Sequence, residues 1–311
     1  MKHYVTVDCG TTNTRVFLVS AGEIRLTKKI ALGARACRND KTGYSRALGR
    51  AIREVISDGG LTEADVTRIL ASGMITSELG LAPLAHLLSP AGIAELKAGM
   101  VELELAEVSP IPFAFVRGVR NDSEELSQRD MMRGEETELM GLSEGGEESF
   151  LLMGSHSKLV STDSLGRISG IHTLMTGELI EAVASDTVLK EAVNLYDSEL
   201  SEADLFEGYD LCESLGLGEA LFKVRVASVA EGATAERAYG LYMGIMLHGD
   251  AECIRREGVR SLCIGGNERL ATAIALLLDS KLGIRVRRIG KDEAETAVAR
   301  GLVRIYEYKR G

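Results

Sequence analysis

Val7-Asp8-Cys9-Gly10-Thr11-Thr12-Asn13-Thr14-Arg15 is the stretch on which the fold turns. Ahead of it, His3–Val7 alternates as an extended strand and delivers Asp8 to its end. Behind it, Arg15–Ser20 reads as a second strand, and Ala21-Gly22 turns the chain into a third, Glu23–Ala31. The chain therefore opens β-turn-β-turn-β, antiparallel, with a polar tip at the first turn. Gly10 permits close backbone approach by a ligand. Thr11, Thr12, Asn13 and the exposed N–H groups can bond phosphate oxygens as an anion nest. Asp8 would hold Mg²⁺ through water, because that ion keeps several of its waters. An ordinary polar hairpin with Asx and Thr turn chemistry uses the same residue types, so the reading needs partners elsewhere in the chain.

Two partners are present. Phe150–Met153 is a short apolar run that ends at Gly154-Ser155-His156-Ser157-Lys158. Leu159–Thr162 and Arg167–His172 then flank Asp163-Ser164-Leu165-Gly166, a good hairpin turn. The β-turn-β-turn-β order thus restarts, which suggests two related domains. One phosphate loop per domain can clamp a nucleotide from both sides. The third turn, Ile264-Gly265-Gly266-Asn267, lies between a strand at Ser261–Ile264 and a helix at Glu268–Leu282. Its glycines would let an adenine or ribose reach the backbone, although a tight βα connection looks the same. No GxxxxGK[ST] and no GxGxxG occurs, which disfavours those two nucleotide folds.

The remaining elements fit around these turns. Tyr44, Leu48, Ala51, Ile52, Val55 and Ile56 fall at helical spacing before Gly59-Gly60. Thr62 with Asp65 resembles a capping signal. Val66–Ala71 is a buried strand running into Ser72-Gly73-Met74. Ser89-Pro90 reads as a helix start, Val101–Val108 and Ile111–Val116 as strands, and Asp130–Leu142 as a helix. The C-terminal half is mostly helical, with a long helix at Ala233–Glu257, a strand at Ile284–Ile289 and a last helix at Asp292–Tyr308.

Composition sets the outer bounds. A chain of 311 residues suggests two α/β domains, placed here at 1–145 and 146–311, with the last helix free to return to the first. At 45% apolar residues there is material for two cores. A net charge of −10 repels polyanions, so nucleic acid and anionic membrane are disfavoured as partners. The start of the chain lacks the apolar run of a signal peptide, and no stretch approaches the ~18 apolar residues of a spanning helix. Five scattered cysteines without a CxxC pair suit reduced thiols and a cytoplasmic location. A homodimer is compatible with all of this.

The order of these turns resembles the actin, hexokinase and Hsp70 ATPases. That resemblance implies a two-domain fold, each domain a mixed five-stranded sheet flanked by helices. Four segments are similar, more narrowly, to the 2-dehydro-3-deoxygalactonokinase family: Val7–Arg15, Ser72–Gly80 (SGMITSELG), Met132–Gly141 (MRGEETELMG), and Gly154–Val160 (GSHSKLV) with Thr173–Leu179 (TLMTGEL). The likeness runs from residue 5 to about 182 and more weakly beyond. It implies MgATP-dependent phosphorylation of the 6-hydroxyl of a small sugar acid, 2-dehydro-3-deoxygalactonate. The chain departs from the family at Cys9 and Leu159, where tryptophan is usual, and at Met153 and Ser155.

The resemblance also assigns roles. Sugar kinases of this superfamily open a helix with Gly-Asp shortly before the second phosphate loop, and Gly134-Glu135 holds the matching place. Glu135 is the expected base, with Glu136 second, since a carboxylate must take the acceptor's proton. A solvated acidic helix face is the plainer alternative. Arg133 could fork onto the substrate carboxylate or lock Glu135 in an ion pair, and Arg15 carries the same ambiguity. Gly10–Asn13, Gly154, Ser155, His156, Gly265, Gly266 and Asn267 would bind ATP. Arg15, Ser72, Gly73, Met74, Lys158 and Thr176 would meet the sugar acid. Thr176-Gly177-Glu178 is otherwise an N-cap and first turn. Domain closure over the substrates would exclude water. The rivals are a kinase for another sugar, a non-kinase ATPase of this fold, and a binding-only relative.

Overall fold

The computed structural model describes residues 2–196 and 198–309. The elements run β1 (His3–Cys9), β2 (Thr14–Ser20), β3 (Glu23–Ile30), α1 (Ala34–Asn39), α2 (Lys41–Asp58), β4 (Val66–Gly73), β5 (Leu87–Leu88), α3 (Ile93–Ala98), β6 (Val101–Leu103), β7 (Phe113–Phe115), β8 (Val119–Arg120), β9 (Met131–Met132) and α4 (Glu135–Leu142). There follow β10 (Ser149–Met153), β11 (Ser157–Thr162), β12 (Ile168–Leu174), α5 (Thr176–Asp186), α6 (Glu202–Leu215), α7 (Leu217–Ala230), α8 (Ala235–Arg256), β13 (Ser261–Gly266), α9 (Glu268–Leu276), β14 (Arg285–Arg288) and α10 (Lys291–Glu307). The chain forms two compact units. One holds residues 2–148, Ser161–Ile171 and residues 290–309. The other holds Ser149–Val160 and His172–Ile289.

In the first unit six strands pair in the order β3-β2-β1-β4-β7-β6. β1 is antiparallel to β2 and parallel to β4, and β4 is parallel to β7. β1 and β2 are almost wholly buried, whereas β3, on the edge, alternates half-buried with exposed positions. α2 presents the apolar stripe read from the sequence, and Asp40 caps it by accepting from the Gly43 N–H at 2.8 Å. α10 crosses α4 with almost no space between the backbones. A Cβ on Gly301 would lie 1.9 Å from the Thr137 carbonyl oxygen, and one on Gly141 the same distance from that of Ala297.

The five-stranded sheet has the order β12-β11-β10-β13-β14, which repeats the β3-β2-β1-β4-β7 scheme. β10, β13 and β14 run parallel, with Met153 in register with Gly266. The core of the second unit is aliphatic and centres on α8, where Leu241, Tyr242, Ile245, Leu247, Ala251 and Ile254 are all buried.

The fold expected from the resemblance is present, with differences of detail. The first sheet gains a sixth strand, β6, beyond five. The strand expected at Val101–Val108 stops at Leu103, because the Leu105 carbonyl accepts from Val108 and Ser109 and bends the chain away. Ser89-Pro90 does not start a helix. It is a cis peptide, the Ser89 hydroxyl donates to Asn121, and helix α3 begins at Ile93 under Gly92. The helix expected from Asp130 starts only at Glu135, since Met131–Met132 pair with β8 and Gly134 breaks the backbone. The helix from Glu268 changes to a π-helical turn at Leu277–Lys281. Thr62 and Asp65 do form a capping box, with the Thr62 N–H and hydroxyl both donating to Asp65 Oδ2.

Candidate active site

In the first unit, β1 and β4 end side by side, with Asp8 in register with Ser72 and Cys9 with Gly73. Asp8 also faces its cross-strand neighbour Arg15, whose Nε and Nη2 donate to Oδ2 at 2.8 and 2.5 Å. Oδ1 has no protein donor among the described residues. The loop beyond is fixed by its backbone. Gly10 N donates to the Asn13 carbonyl at 2.9 Å, and the first N–H groups of α1, those of Ala34 and Arg35, donate to the Gly10 and Thr11 carbonyls at 3.0 Å. Thr11 and Thr12 are left exposed. Beneath them the Tyr44 hydroxyl lies 3.1 Å from Cys9 Sγ and 3.0 Å from Thr14 Oγ1. Burial pushes the Cys9 thiol up to about 11, so it stays protonated at neutral pH.

The start of α4 meets these strand ends backbone to backbone. Gly73 and Gly134 have φ of 83° and 113°, which side-chain-bearing residues rarely adopt. A Cβ on Gly134 would lie 3.2 Å from Gly73 Cα, and one on Gly73 would lie 2.4 Å from the Cys9 carbonyl oxygen. Three segments far apart in sequence thus share one corner.

The first turn of α4 carries three carboxylates in different surroundings. Glu135 is half-exposed, and its Oε2 accepts from the Arg133 N–H at 2.9 Å. Glu136 is wholly buried, and its Oε2 accepts from the Gly134 N–H at 2.8 Å. Burial, with the Glu135 charge adding, pushes Glu136 up to about 8. Glu138 was missed by the sequence reading. Burial, and then the Asp8 carboxylate, push it up to about 8, with Arg15 opposing. The available signal was its place three residues after Glu135, on the same helix face.

The Arg133 side chain makes no ion pair with Glu135 among the described residues. Its Nη1 donates to the Thr76 carbonyl at 2.7 Å and hydroxyl at 2.6 Å, and its Nη2 to the Leu84 carbonyl at 3.0 Å. The same Nη2 lies 3.1 and 3.2 Å from the His86 ring nitrogens. Burial and then the Arg133 charge hold His86 down at about 4. Arg133 therefore ties the Ser72–Thr76 corner to α4. Met74 is half-buried in that corner, and the Ser72 hydroxyl is buried with no hydrogen-bond partner among the described residues.

The second unit gathers the other set. β10 and β13 end together, and the Asn267 N–H donates to the Met153 carbonyl at 2.7 Å. Asn267 also caps α9, its Oδ1 accepting from the Leu270 N–H. Gly265 and Gly266 thus lie beside the loop at Gly154. A pocket opens here, lined among others by Gly154, Ser155, Tyr239, Met243, Asn267 and Arg269. Carboxyl ends of parallel strands are where α/β sheets bind ligands. His156 is exposed and lies 3.0 Å from Glu178. Lys158 is buried, and its Nζ donates to Thr173. Thr176 is not the cap of α5. It is the first helical residue, after Met175, and its hydroxyl turns inward to Asp250.

Two loop-bearing sheets of one strand order belong to the actin-like ATPase fold, and family membership makes the chain a sugar-acid kinase of that fold, which implies use of a nucleotide. The chain belongs to the 2-keto-3-deoxy-galactonokinase family, whose profile matches residues 8–305. It is 27% identical over 95% of its length, and 94% of the relative, to a Rhizobium meliloti protein provisionally named 2-dehydro-3-deoxygalactonokinase. Among solved structures, a Sinorhizobium meliloti protein provisionally named likewise is similar at a TM-score of 0.81, with 24% identity over 97% of both chains. The activator of 2-hydroxyisocaproyl-CoA dehydratase from Clostridium difficile, with bound ADPNP, gives 0.51 at 14% identity, over 98% of this chain and 95% of the other. These two structural likenesses are likenesses of fold. No helix among the described residues is long and apolar enough to cross a membrane.

Proposed function

We propose that the protein transfers the γ-phosphate of ATP to the 6-hydroxyl of 2-dehydro-3-deoxygalactonate. Family membership supports the substrate class, and one structural observation carries the chemistry: the half-exposed Glu135 stands at the corner where β1, β4 and α4 meet. A carboxylate so placed can orient the acceptor hydroxyl and take its proton. Glu136, fully buried and held by its own helix start, is less able to reach a substrate. Phosphoryl transfer asks for positioning and charge neutralisation more than for covalent chemistry.

The residues present fit the nucleotide and its metal. Gly10, Thr11, Thr12 and Asn13 offer exposed hydroxyls and backbone on a loop already tied down. Gly154, Ser155 and His156 form the second such loop, with Gly265, Gly266 and Asn267 beside it for the adenosine. Asp8 Oδ1 meets no donor among the described residues, and Glu138 is raised by burial and then by the Asp8 charge, a second effect that a divalent cation relieves. Bound Mg²⁺ supplies neutralisation of phosphate charge. The Arg133 guanidinium keeps the corner assigned to the sugar acid in place, where Met74 is half-buried and Ser72 and Gly73 are buried. Arg15 orients Asp8.

The test is ADP release with MgATP, with and without 2-dehydro-3-deoxygalactonate, beside its gluconate epimer and neutral sugars. Release that depends on this acid is expected. Release that answers only a neutral sugar overturns the substrate, and release indifferent to every acceptor overturns the kinase.

A further inference from the structure

Asp250 has no part in the reading above, yet it is among the most buried charges in the chain. It sits in the middle of α8 at 2% exposure, with Leu247, Ala251 and Ile254 buried around it. A carboxylate taken out of water is costly unless its oxygens find donors. Both oxygens of Asp250 accept from the Thr176 hydroxyl, at 2.8 and 2.7 Å. Burial pushes Asp250 up to about 7, opposed first by the Thr176 bond, then by its own backbone N–H and by Ser157.

What Thr176 does next gives the carboxylate its use. Thr176 is the first residue of α5, and α5 begins in direct contact with the loop at Gly154. The Glu178 N–H donates to the Ser155 carbonyl at 2.9 Å. A Cβ on Gly177 would lie 2.2 Å from the Gly154 carbonyl oxygen, so the helix start and the loop touch backbone to backbone. The path from Asp250 to the loop is therefore short: carboxylate, Thr176 hydroxyl, first turn of α5, then the carbonyls of Gly154 and Ser155. Asp250 itself does not line the pocket that Gly154, Ser155 and Gly177 line.

We propose that Asp250 is a positioning residue for the second phosphate loop, holding the start of α5 through Thr176 so that Gly154 and Ser155 keep the geometry that binds the nucleotide. The proposal rests on the reading of that loop as a nucleotide site. It acts through geometry, so an asparagine, whose amide oxygen still accepts from Thr176, replaces it with little loss.

Calorimetric titration with MgADP tests it without needing the sugar acid. Asp250→Ala is expected to weaken MgADP about tenfold or more, with the KM for MgATP rising in step and the KM for the sugar acid unchanged. Asp250→Asn should stay within about threefold of wild type. Thr176→Val, which keeps the helix residue and removes only the hydroxyl, should match Asp250→Ala, and combining the two should add little. Thr176→Val also serves if Asp250→Ala does not fold. Variants that melt earlier but bind MgADP like wild type overturn the proposal, as does a rise confined to the KM of the sugar acid. Wild-type protein that binds no MgADP is a different result: it overturns the nucleotide site itself.

Discussion

Three glutamates in the first turn of one helix show how environment separates roles. All three gain from the partial positive charge of the helix N-terminus; Glu136 is buried, while Glu135 and Glu138 are both half-buried, Glu135 at the glycine corner and Glu138 under the charge of Asp8. Glu135→Gln should lower kcat by about 10²–10⁴-fold while the affinity for MgADP, read by calorimetry, stays as it was. A variant with near-normal kcat would move the base elsewhere. Glu136 makes a prediction about pH. Its unfolded value is near 4.5 and its folded value about 8. Between these the unfolded chain has released the proton that the folded chain keeps, so this group's contribution to stability falls as pH rises from about 4.5 to about 8, then levels off. The charges of Glu135 and Arg133 act on it. Glu136→Gln should therefore gain in Tm relative to wild type on going from pH 5 to pH 9, by an amount worth up to a few kcal/mol. A gap that is constant with pH would mean that Glu136 does not titrate as a buried group.

At the scale of elements, each unit gathers its candidate residues at element ends: β1, β4 and the start of α4 in the first unit, and β10, β13 and the start of α5 in the second. Backbone contact, not side-chain packing, brings these ends together, which is why glycine marks them. The crossing of α4 and α10, the helix that carries Glu135 and its partner, works the same way. Gly301→Ala would drive a methyl group to 1.9 Å from the Thr137 carbonyl oxygen. The helices must then separate, at a cost of about 1–3 kcal/mol or more, and Tm should fall by several degrees. Because Thr137 lies two residues from Glu135, kcat should fall too. Loss of stability with full kcat would show that α4 is insulated from its packing partner.

At the scale of the molecule, the net charge of −10 sits beside a reaction on anions. Local structure answers the global field: Arg15 beside Asp8, N–H groups at helix starts, and loops with exposed backbone. Binding to the folded chain should register as stability. At 100 times Kd a ligand adds about 2.7 kcal/mol, so saturating MgADP should raise Tm by several degrees. Addition of ADP after chelation of Mg²⁺ should raise it less if the metal pairs with Asp8.

The sequence by itself determined the alternation of β1 to β3, the stripe of α2 and the small-residue turns after strands, because period and turn chemistry are local properties. It also determined the family, because MRGEET and GSHSK stand in a recognisable order. Local reading misplaced Ser89-Pro90, Val101–Val108 and Asp130–Glu135, where pairing with distant strands or a left-handed glycine overrides propensity. Only the tertiary structure decided that Glu136 is the buried one of the three glutamates, that Arg133 turns its guanidinium to the carbonyls of Thr76 and Leu84, that the Asp8 charge acts on Glu138, and that Thr176 points inward to Asp250. Thr176 and Asp250 stand 74 positions apart in the chain. Burial and charge at a site come from what packs against it, which the periodicity of a segment does not record.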